Sequence, residues 1–355
     1  MKVLALNSSP RGKGESKTGL LLDALVTGMR EAGADVEVVQ LRGKTIRNCI
    51  GCFTCWTKTP GQCVHKDDMS LELYPKWLDA DLAVYASPLY YFTVNATMKT
   101  FMERTLPLLE PFFEQGEDVT RHPLRRQPPK AVVISVAGFP EMSVFNQLSS
   151  WAQVVFGDGL LAEIYRPAAE TLTVSAYEEK AREILEAMAQ AGRELVAGRK
   201  VNPATMARIT QDIMDDRSHL ALLGGLMWKT CIAEGITPKE FAERKMVPRP
   251  DSIETFMMVL PMGFKPGGAG DTQAVLQFIF TGEVAGACHF TIAEGRIKAF
   301  PGEAKRPELT IETPFELWMD ILTGKADGGQ MFAEQKYVAT GDVTLLMRMN
   351  ELFGN

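Results

Sequence analysis

The sequence has no excess of positive charge. Its 38 lysines and arginines face 44 aspartates and glutamates, a formal net charge of −6. That balance lacks the footprint of a general nucleic-acid binder. No apolar run approaches the roughly 18 residues that cross a bilayer; the longest, 131–139, reads as a buried strand. Neither a Walker loop nor a G-x-G-x-x-G fingerprint is present. Histidine is scarce, at four residues, and no Ser–His–Asp constellation follows from the spacing. No residue is therefore assigned as catalytic acid, base or nucleophile. With 46% hydrophobic and 23% charged residues, the composition is that of an ordinary globular protein, which excludes disorder, collagen-like repeats and a disulfide-rich mini-protein. Residues 1–6 run straight into turn residues and read as a first strand, not a secretory signal. The expected location is the cytoplasm. At roughly 100–200 residues per domain, 355 residues predict two domains.

What is present is alternation. Short apolar runs at 2–7, 36–41, 81–86, 130–136 and about 159–165 predict strands. Helical spacing predicts helices over 16–33, 95–109 and 176–196. Repeated strand–helix units imply an α/β fold with a parallel sheet, helices on both faces, and ligands at the carboxyl ends of the strands. Residues 201–250 read as a helical extension and linker. Residues 251–355 change character, with strands near 272–281, 284–292, 296–300 and 309–312 and helices near 314–323 and 342–353. That order predicts a separate α+β domain.

Three predicted strand ends share a theme. The first leads into Asn7-Ser8-Ser9-Pro10-Arg11-Gly12-Lys13-Gly14-Glu15-Ser16-Lys17-Thr18 and then a helix. Helix amino-terminal N–H groups and dipole favour a phosphate there. Ser9, Ser16 and Thr18 offer hydroxyls; Arg11 and Lys17 offer charge. An ordinary N-cap at Ser16 explains part of the same loop. The third strand ends in Pro88-Leu89-Tyr90-Tyr91-Phe92, an aromatic wall. The fourth ends in Gly138-Phe139, where glycine permits close backbone approach. Together these are the parts that hold a flat aromatic cofactor with a phosphate tail, and they favour flavin mononucleotide (FMN).

The Asn-Ser-Ser-Pro-Arg loop, the Ser-Pro-Leu-Tyr-Tyr segment and Met98-Lys99-Thr100-Phe101 resemble the flavodoxin-like NAD(P)H-dependent FMN reductases. The resemblance covers residues 1–200. It implies a doubly wound sheet of order 2-1-3-4-5, NAD(P)H as co-substrate, and a homodimer or homotetramer. It also implies that Ser9, Arg11, Ser16, Lys17 and Thr18 hold the phosphate. Pro88, Leu89, Tyr90, Tyr91 and Phe92 would flank the isoalloxazine, and Gly138 and Phe139 would close the site.

Four of six cysteines lie within fifteen residues: Cys49, Cys52, Cys55 and Cys63. Such clustering in a reducing compartment points to metal or redox chemistry. All-cysteine ligation at x2 spacing is typical of iron–sulfur clusters. A four-cysteine zinc site, a disulfide, or plain thiols in a packed loop are the alternatives. The spacing resembles that of the iron–sulfur flavoproteins, which implies a [4Fe-4S] cluster exchanging electrons with FMN. Asp67-Asp68 reads as the N-cap of a helix starting near Met69. Cys231 and Cys288 read as buried apolar residues, and Trp151, Trp228 and Trp318 as core.

From residue 251 the pattern Phe315-Glu316-Leu317-Trp318, Leu322-Thr323-Gly324-Lys325 and Gly341-Asp342-Val343 resembles sterol carrier protein type 2-like domains. This implies a lipid or other hydrophobic ligand. Alternating Leu276, Phe278 and Phe280 are equally compatible with a plain core.

These readings converge on an FMN-dependent NAD(P)H oxidoreductase that passes electrons to a small-molecule acceptor or a redox protein. The alternative is an iron–sulfur flavoprotein electron carrier served by ferredoxin-like partners. A third possibility is a lipid-binding protein on a flavodoxin-like scaffold. Neither a nucleic acid nor a membrane span enters the expectation.

Overall fold

The computed structural model describes residues 1–115, 120–174, 177–214 and 217–354. These form two compact units, 1–215 and 216–355. The expected helix start at 176 lies outside the described residues.

In the first unit, β1 (Lys2–Asn7), β2 (Asp35–Gln40), β3 (Leu82–Pro88), β4 (Lys130–Val136) and β5 (Leu160–Arg166) form one sheet. All its pairings are parallel, in the order β2-β1-β3-β4-β5. That is the flavodoxin-like order expected from the sequence. Every residue of β3 is buried, and six of seven in β4. A parallel strand covered on both faces needs a continuous apolar run, which these segments supply. Strand order reverses beside β1, which directs a ligand crevice to the carboxyl ends of β1 and β3.

The first helix, α1 (Lys17–Glu31), starts at Ser16, whose hydroxyl accepts from the Gly19 N–H at 2.9 Å. A π-helical turn, Met69–Leu73, runs directly into α2 (Tyr74–Asp79). Next comes α3 (Ala96–Glu103), capped by Asn95, whose side-chain Oδ1 accepts from the Met98 N–H at 3.1 Å. It is shorter than the predicted 95–109 because Pro107 follows: proline removes a donor and disfavours the helical conformation before it. Then follow α4 (Asn146–Phe156), α5 (Glu178–Gly198) and α6 (Pro203–Thr210). Helices α1 and α5 touch through glycine. A Cβ on Gly28 would lie 1.7 Å from the Ala189 carbonyl oxygen, and one on Gly192 2.1 Å from that of Leu25.

The second unit opens with α7 (Arg217–Glu234), α8 (Pro238–Glu243), α9 (Ile253–Met262) and α10 (Pro266–Ala269). A second sheet follows: β6 (Ala274–Thr281), β7 (Gly286–Ala293), β8 (Arg296–Pro301), β9 (Leu309–Pro314) and β10 (Val338–Gly341), in the order β8-β7-β6-β9-β10. Only β6 and β9 pair in parallel. This is the separate α+β domain. The exposed four-residue β10 escaped the sequence reading, since it has no apolar run. Helices α11 (Phe315–Leu322) and α12 (Gly328–Ala333) precede β10, and α13 (Val343–Met347) and α14 (Met349–Leu352) close the chain as two pieces instead of one. Trp318 is buried, as expected, and Trp151 packs against the first core from a partly buried position. Trp228 is 53% exposed and is not a core residue. Helix α7 is apolar around much of its circumference, so periodicity gave no face for that ring. Cys231 and Cys288 are buried as expected; burial alone pushes the Cys288 thiol up to about 12.

Candidate functional site

Three loops meet at the carboxyl edge of the first sheet, and identifiable bonds hold them there. The Asn95 amide donates to the Ser8 carbonyl oxygen at 2.7 Å, and the Asn95 N–H donates to the Ser87 hydroxyl at 3.0 Å. The loop after β3 is thus tied to the loop after β1. The Leu89 N–H donates to the Val136 carbonyl oxygen at 2.9 Å, which ties it to the end of β4. Ser9, Arg11, Ser16, Lys17 and Thr18 lie on the first loop, Pro88 to Phe92 on the second, and Gly138 and Phe139 on the third. Ser9, Ser16 and Thr18 are buried, whereas Gly138 and Phe139 are exposed. The Ser16 hydroxyl is already engaged as the N-cap of α1, so its part in anion binding is through the helix end it organises.

Arg11 and Lys17 share a carboxylate that the sequence reading missed. Glu170 accepts from Arg11 at 2.7 Å and lies 3.4 Å from the Lys17 ammonium. It sits on a short 3-10 turn after β5, Ala169–Thr173, 153 residues beyond Lys17. No local signal links them.

The aromatic loop is strained. Tyr90 and Thr93 exchange backbone bonds at 3.0 and 3.1 Å, which leaves Tyr91 and Phe92 as a two-residue turn. Both have positive φ, 47° and 62°. Turns of that kind favour Asn-Gly, and a bulky side chain there costs on the order of 1–3 kcal/mol. Yet Tyr91 is fully exposed and Phe92 half exposed. Residues held in such conformations cluster at active sites and ligand clamps.

A second feature lies at the other end of α3. Cys49, Cys52, Cys55 and Cys63 all line one cavity, with His65, Arg104 and Leu106. All four are free thiols. Among the described residues, no group of three His, Cys, Asp or Glu side chains has the geometry to hold one metal ion. A tetrahedral zinc site would need the four sulfurs about 2.3 Å from one point. The donor set itself, four thiols and no carboxylate, is the set an iron–sulfur cluster uses. The enclosed part of the cavity, about 20 Å³, holds a water-sized body. A larger group would occupy the open mouth, where Cys52 is exposed. Burial and the neighbouring Cys63 push the Cys55 thiol up, while bonds from the Thr54 hydroxyl and N–H push that of Cys52 down.

A buried ion pair closes this loop at both ends. The Asp67 and Arg104 side chains are each 1% exposed. Arg104 donates to Asp67 at 2.7 and 3.0 Å, and to the Arg47 carbonyl oxygen at 2.6 Å. Asp67 also accepts from the Arg47 N–H at 2.9 Å and the Ser70 N–H at 3.2 Å. Residue 47 precedes the first cysteine and residue 67 follows the last. Burial alone would raise the Asp67 carboxyl, but these bonds outweigh it and hold it far below the usual carboxylate range. The expected capping pair is thus divided: Asp67 bonds the first turn of the helix, and Asp68 instead accepts from the Thr45 N–H at 2.7 Å.

With this geometry in place, likeness to known proteins becomes informative. Residues 1–156 match the family model of the NADPH-dependent FMN reductases. Residues 268–354 match the SCP-2 sterol transfer family. The two matches fall on separate parts of the chain. Among curated proteins, an iron-sulfur flavoprotein from Archaeoglobus fulgidus is 41% identical over 107 residues, 30% of this chain and 46% of that one. Another from Methanocaldococcus jannaschii is 36% identical over 108 residues, 30% of this chain and 53% of that one. The chain spans about half the length of the curated relatives it matches. An NAD(P)H:quinone oxidoreductase from Methanothermobacter marburgensis aligns in structure with 21% identity and a TM-score of 0.41, over 55% of this chain and 96% of that one.

In the second unit, the alternating Leu276, Phe278 and Phe280 lie in a packed core. Phe256, Phe278, Phe280 and Phe290 are fully buried, with ring centroids 5.1–5.9 Å apart. Most of these contacts are edge-to-face, the geometry that aromatic quadrupoles favour. Leu276, Cys288 and Ile292 join the same cluster. No helix among the described residues is long and apolar enough to cross a membrane.

Proposed function

We propose that this chain is an FMN-dependent oxidoreductase that moves electrons from reduced nicotinamide to an acceptor. The observation that carries the reading is the strained, solvent-facing Tyr91-Phe92 turn, bonded beside a helix-capped polar loop at the reversal point of a flavodoxin-like sheet. FMN would supply the exchange between two-electron and one-electron steps. The chain's residues would do the positioning. The α1 amino terminus with Ser9 and Thr18 would receive the phosphate, with Arg11 and Lys17 supplying charge beside it. Pro88, Leu89, Tyr90, Tyr91 and Phe92 would flank the ring, and Gly138 and Phe139 would border it from the next strand. NAD(P)H is the reductant this reading requires.

A second reading is favoured by the four thiols on one cavity and by the names of the curated relatives. In it, Cys49, Cys52, Cys55 and Cys63 hold a [4Fe-4S] cluster, and the protein exchanges single electrons with a ferredoxin-like partner. The cysteine cavity adjoins the carboxyl end of α3, and the aromatic loop adjoins its amino end. Eight residues at 1.5 Å each make that helix about 12 Å long. The second unit would bind a lipid or other hydrophobic molecule only by opening its aromatic core. A homodimer or homotetramer and a cytoplasmic location complete the proposal.

The test is anaerobic turnover. NAD(P)H oxidation that requires FMN and responds to Phe92→Gly supports the first reading. Iron and sulfide in cluster stoichiometry without nicotinamide oxidation supports the second. A protein that takes up neither FMN nor iron refutes both.

A further inference from the structure

Cys63 and Arg104 form a wall with a cavity on each side. One side is the cysteine cavity; the other is a separate cleft of about 460 Å³. That volume lies in the range of small-molecule sites, roughly 300–1,000 Å³. Its floor is the helix that begins with the π-helical turn Met69–Leu73 and continues as α2. π-Turns are rare and frequently mark functional sites. Here the turn helps bring Met69, Tyr74 and Leu78 to one wall of the cleft. Tyr74 is partly buried, and burial pushes its hydroxyl up to about 12, so it stays neutral. Its ring stacks on Trp77 at 6.0 Å.

The opposite character comes from charge. Lys66 and Arg126 line the cleft, are exposed, and form no ion pair among the described residues. Arg126 is oriented by donating to the Leu78 carbonyl oxygen at 2.7 Å. Asp79, the carboxylate on the lining, is paired with the Lys2 ammonium at 2.7 Å. The Arg104 charge behind the wall is matched by Asp67. Lys66 and Arg126 therefore face a wall of Tyr74 and Leu78, with Asp79 near enough to feel the Arg126 charge, on a chain whose net charge is −6.

We propose that this cleft binds a planar aromatic anion, and that it is the port for a quinone-type acceptor bearing a sulfonate or carboxylate. The ring lies against Tyr74 and Leu78, and the anionic group meets Lys66 and Arg126. The acceptor role rests on the function proposed above; the binding does not. In that role the quinone gains two electrons and two protons and leaves as the hydroquinone. Reduced nicotinamide gives up one hydride, which is both electrons and one proton, and solvent supplies the second proton.

Binding is tested without any reductant. Calorimetric titration of the oxidised full-length protein with 9,10-anthraquinone-2-sulfonate, which has no vinylic carbon open to thiol attack, is compared for wild type and the double variant Lys66→Glu, Arg126→Glu. The expected result is a Kd weakened at least tenfold in the variant, with FMN affinity unchanged. In wild type, bound probe should slow alkylation of Cys63 at least tenfold, read by peptide mass spectrometry. Equal affinity in wild type and variant, no binding of the probe, or binding that leaves Cys63 unprotected overturns the proposal. A protein that lacks FMN and iron but binds the probe as described would remove the proposed function and leave the site standing.

Discussion

Replacing Asp67 by asparagine keeps the shape of the side chain and removes its charge. Arg104 then remains 1% exposed with no counter-ion. Breaking a buried pair from one side costs about 3–5 kcal/mol, because the uncompensated charge is what remains. Removing both charges, with Asp67→Asn and Arg104→Met together, leaves no such charge. It forfeits mainly the bond to the Arg47 carbonyl oxygen, about 0.5–1.5 kcal/mol. The double variant should therefore be more stable than the single one, a coupling of about 2 kcal/mol or more. The pair fastens both ends of the cysteine loop, so the loss should appear first as local opening of residues 44–68. Hydrogen exchange read by mass spectrometry measures it. At a factor of ten per 1.4 kcal/mol, amides of that segment should exchange on the order of a hundredfold faster in Asp67→Asn. Peptides from 274–293 should not change. Exchange within threefold of wild type, or a double variant worse than the single one, would refute the assignment of the pair as the fastener of the loop.

Three further outcomes follow from the same geometry. Tyr91→Asn with Phe92→Gly fits the positive φ values of the turn and should stabilise the protein by about 1 kcal/mol or more in denaturant unfolding, while weakening FMN binding at least tenfold in a fluorescence titration. A more stable variant with unchanged FMN affinity would separate the strain from function. Gly192→Ala places a methyl group 2.1 Å from the Leu25 carbonyl oxygen and should lower stability by about 1–3 kcal/mol or more; an unchanged Tm would show that α1 and α5 are not in backbone contact. Glu194 accepts from the Asn202 N–H and the Thr205 hydroxyl. Burial would raise its carboxyl, yet these bonds hold it at about 2. A depressed pKa gives stability that is present above the unfolded value near 4.5 and is lost as pH falls toward about 2. Glu194→Gln should therefore narrow its difference from wild type across that window, and a difference that is flat with pH would contradict the assignment.

The parallel sheet was legible because a strand buried on both faces must be apolar throughout, as 82–86 and 131–134 are. The loops at its carboxyl edge were legible for a related reason: hydroxyls, glycine and aromatic residues follow those strands at once. Three things were not. Glu170 reaches Arg11 and Lys17 from the far end of the sheet, so only the closed fold brings them together. Asp67 read as a cap, since its local bond to Ser70 is the kind that capping residues make. Its partner Arg104 lies 37 residues away and carries no local signal. The positive φ at Tyr91 and Phe92 was hidden because the residue types argue against it. Strand β10 escaped because an exposed four-residue edge strand needs no hydrophobic pattern.

The central question is whether the first unit is a redox-cofactor protein. Anaerobic purification followed by an absorbance spectrum with iron and acid-labile sulfide analysis tests this most directly. The account predicts one FMN per chain, released on denaturation. Where the four-cysteine reading holds, iron and sulfide accompany the flavin in cluster stoichiometry and are lost in Cys55→Ser. A colourless protein that binds no added FMN would contradict the central claim, whatever its fold.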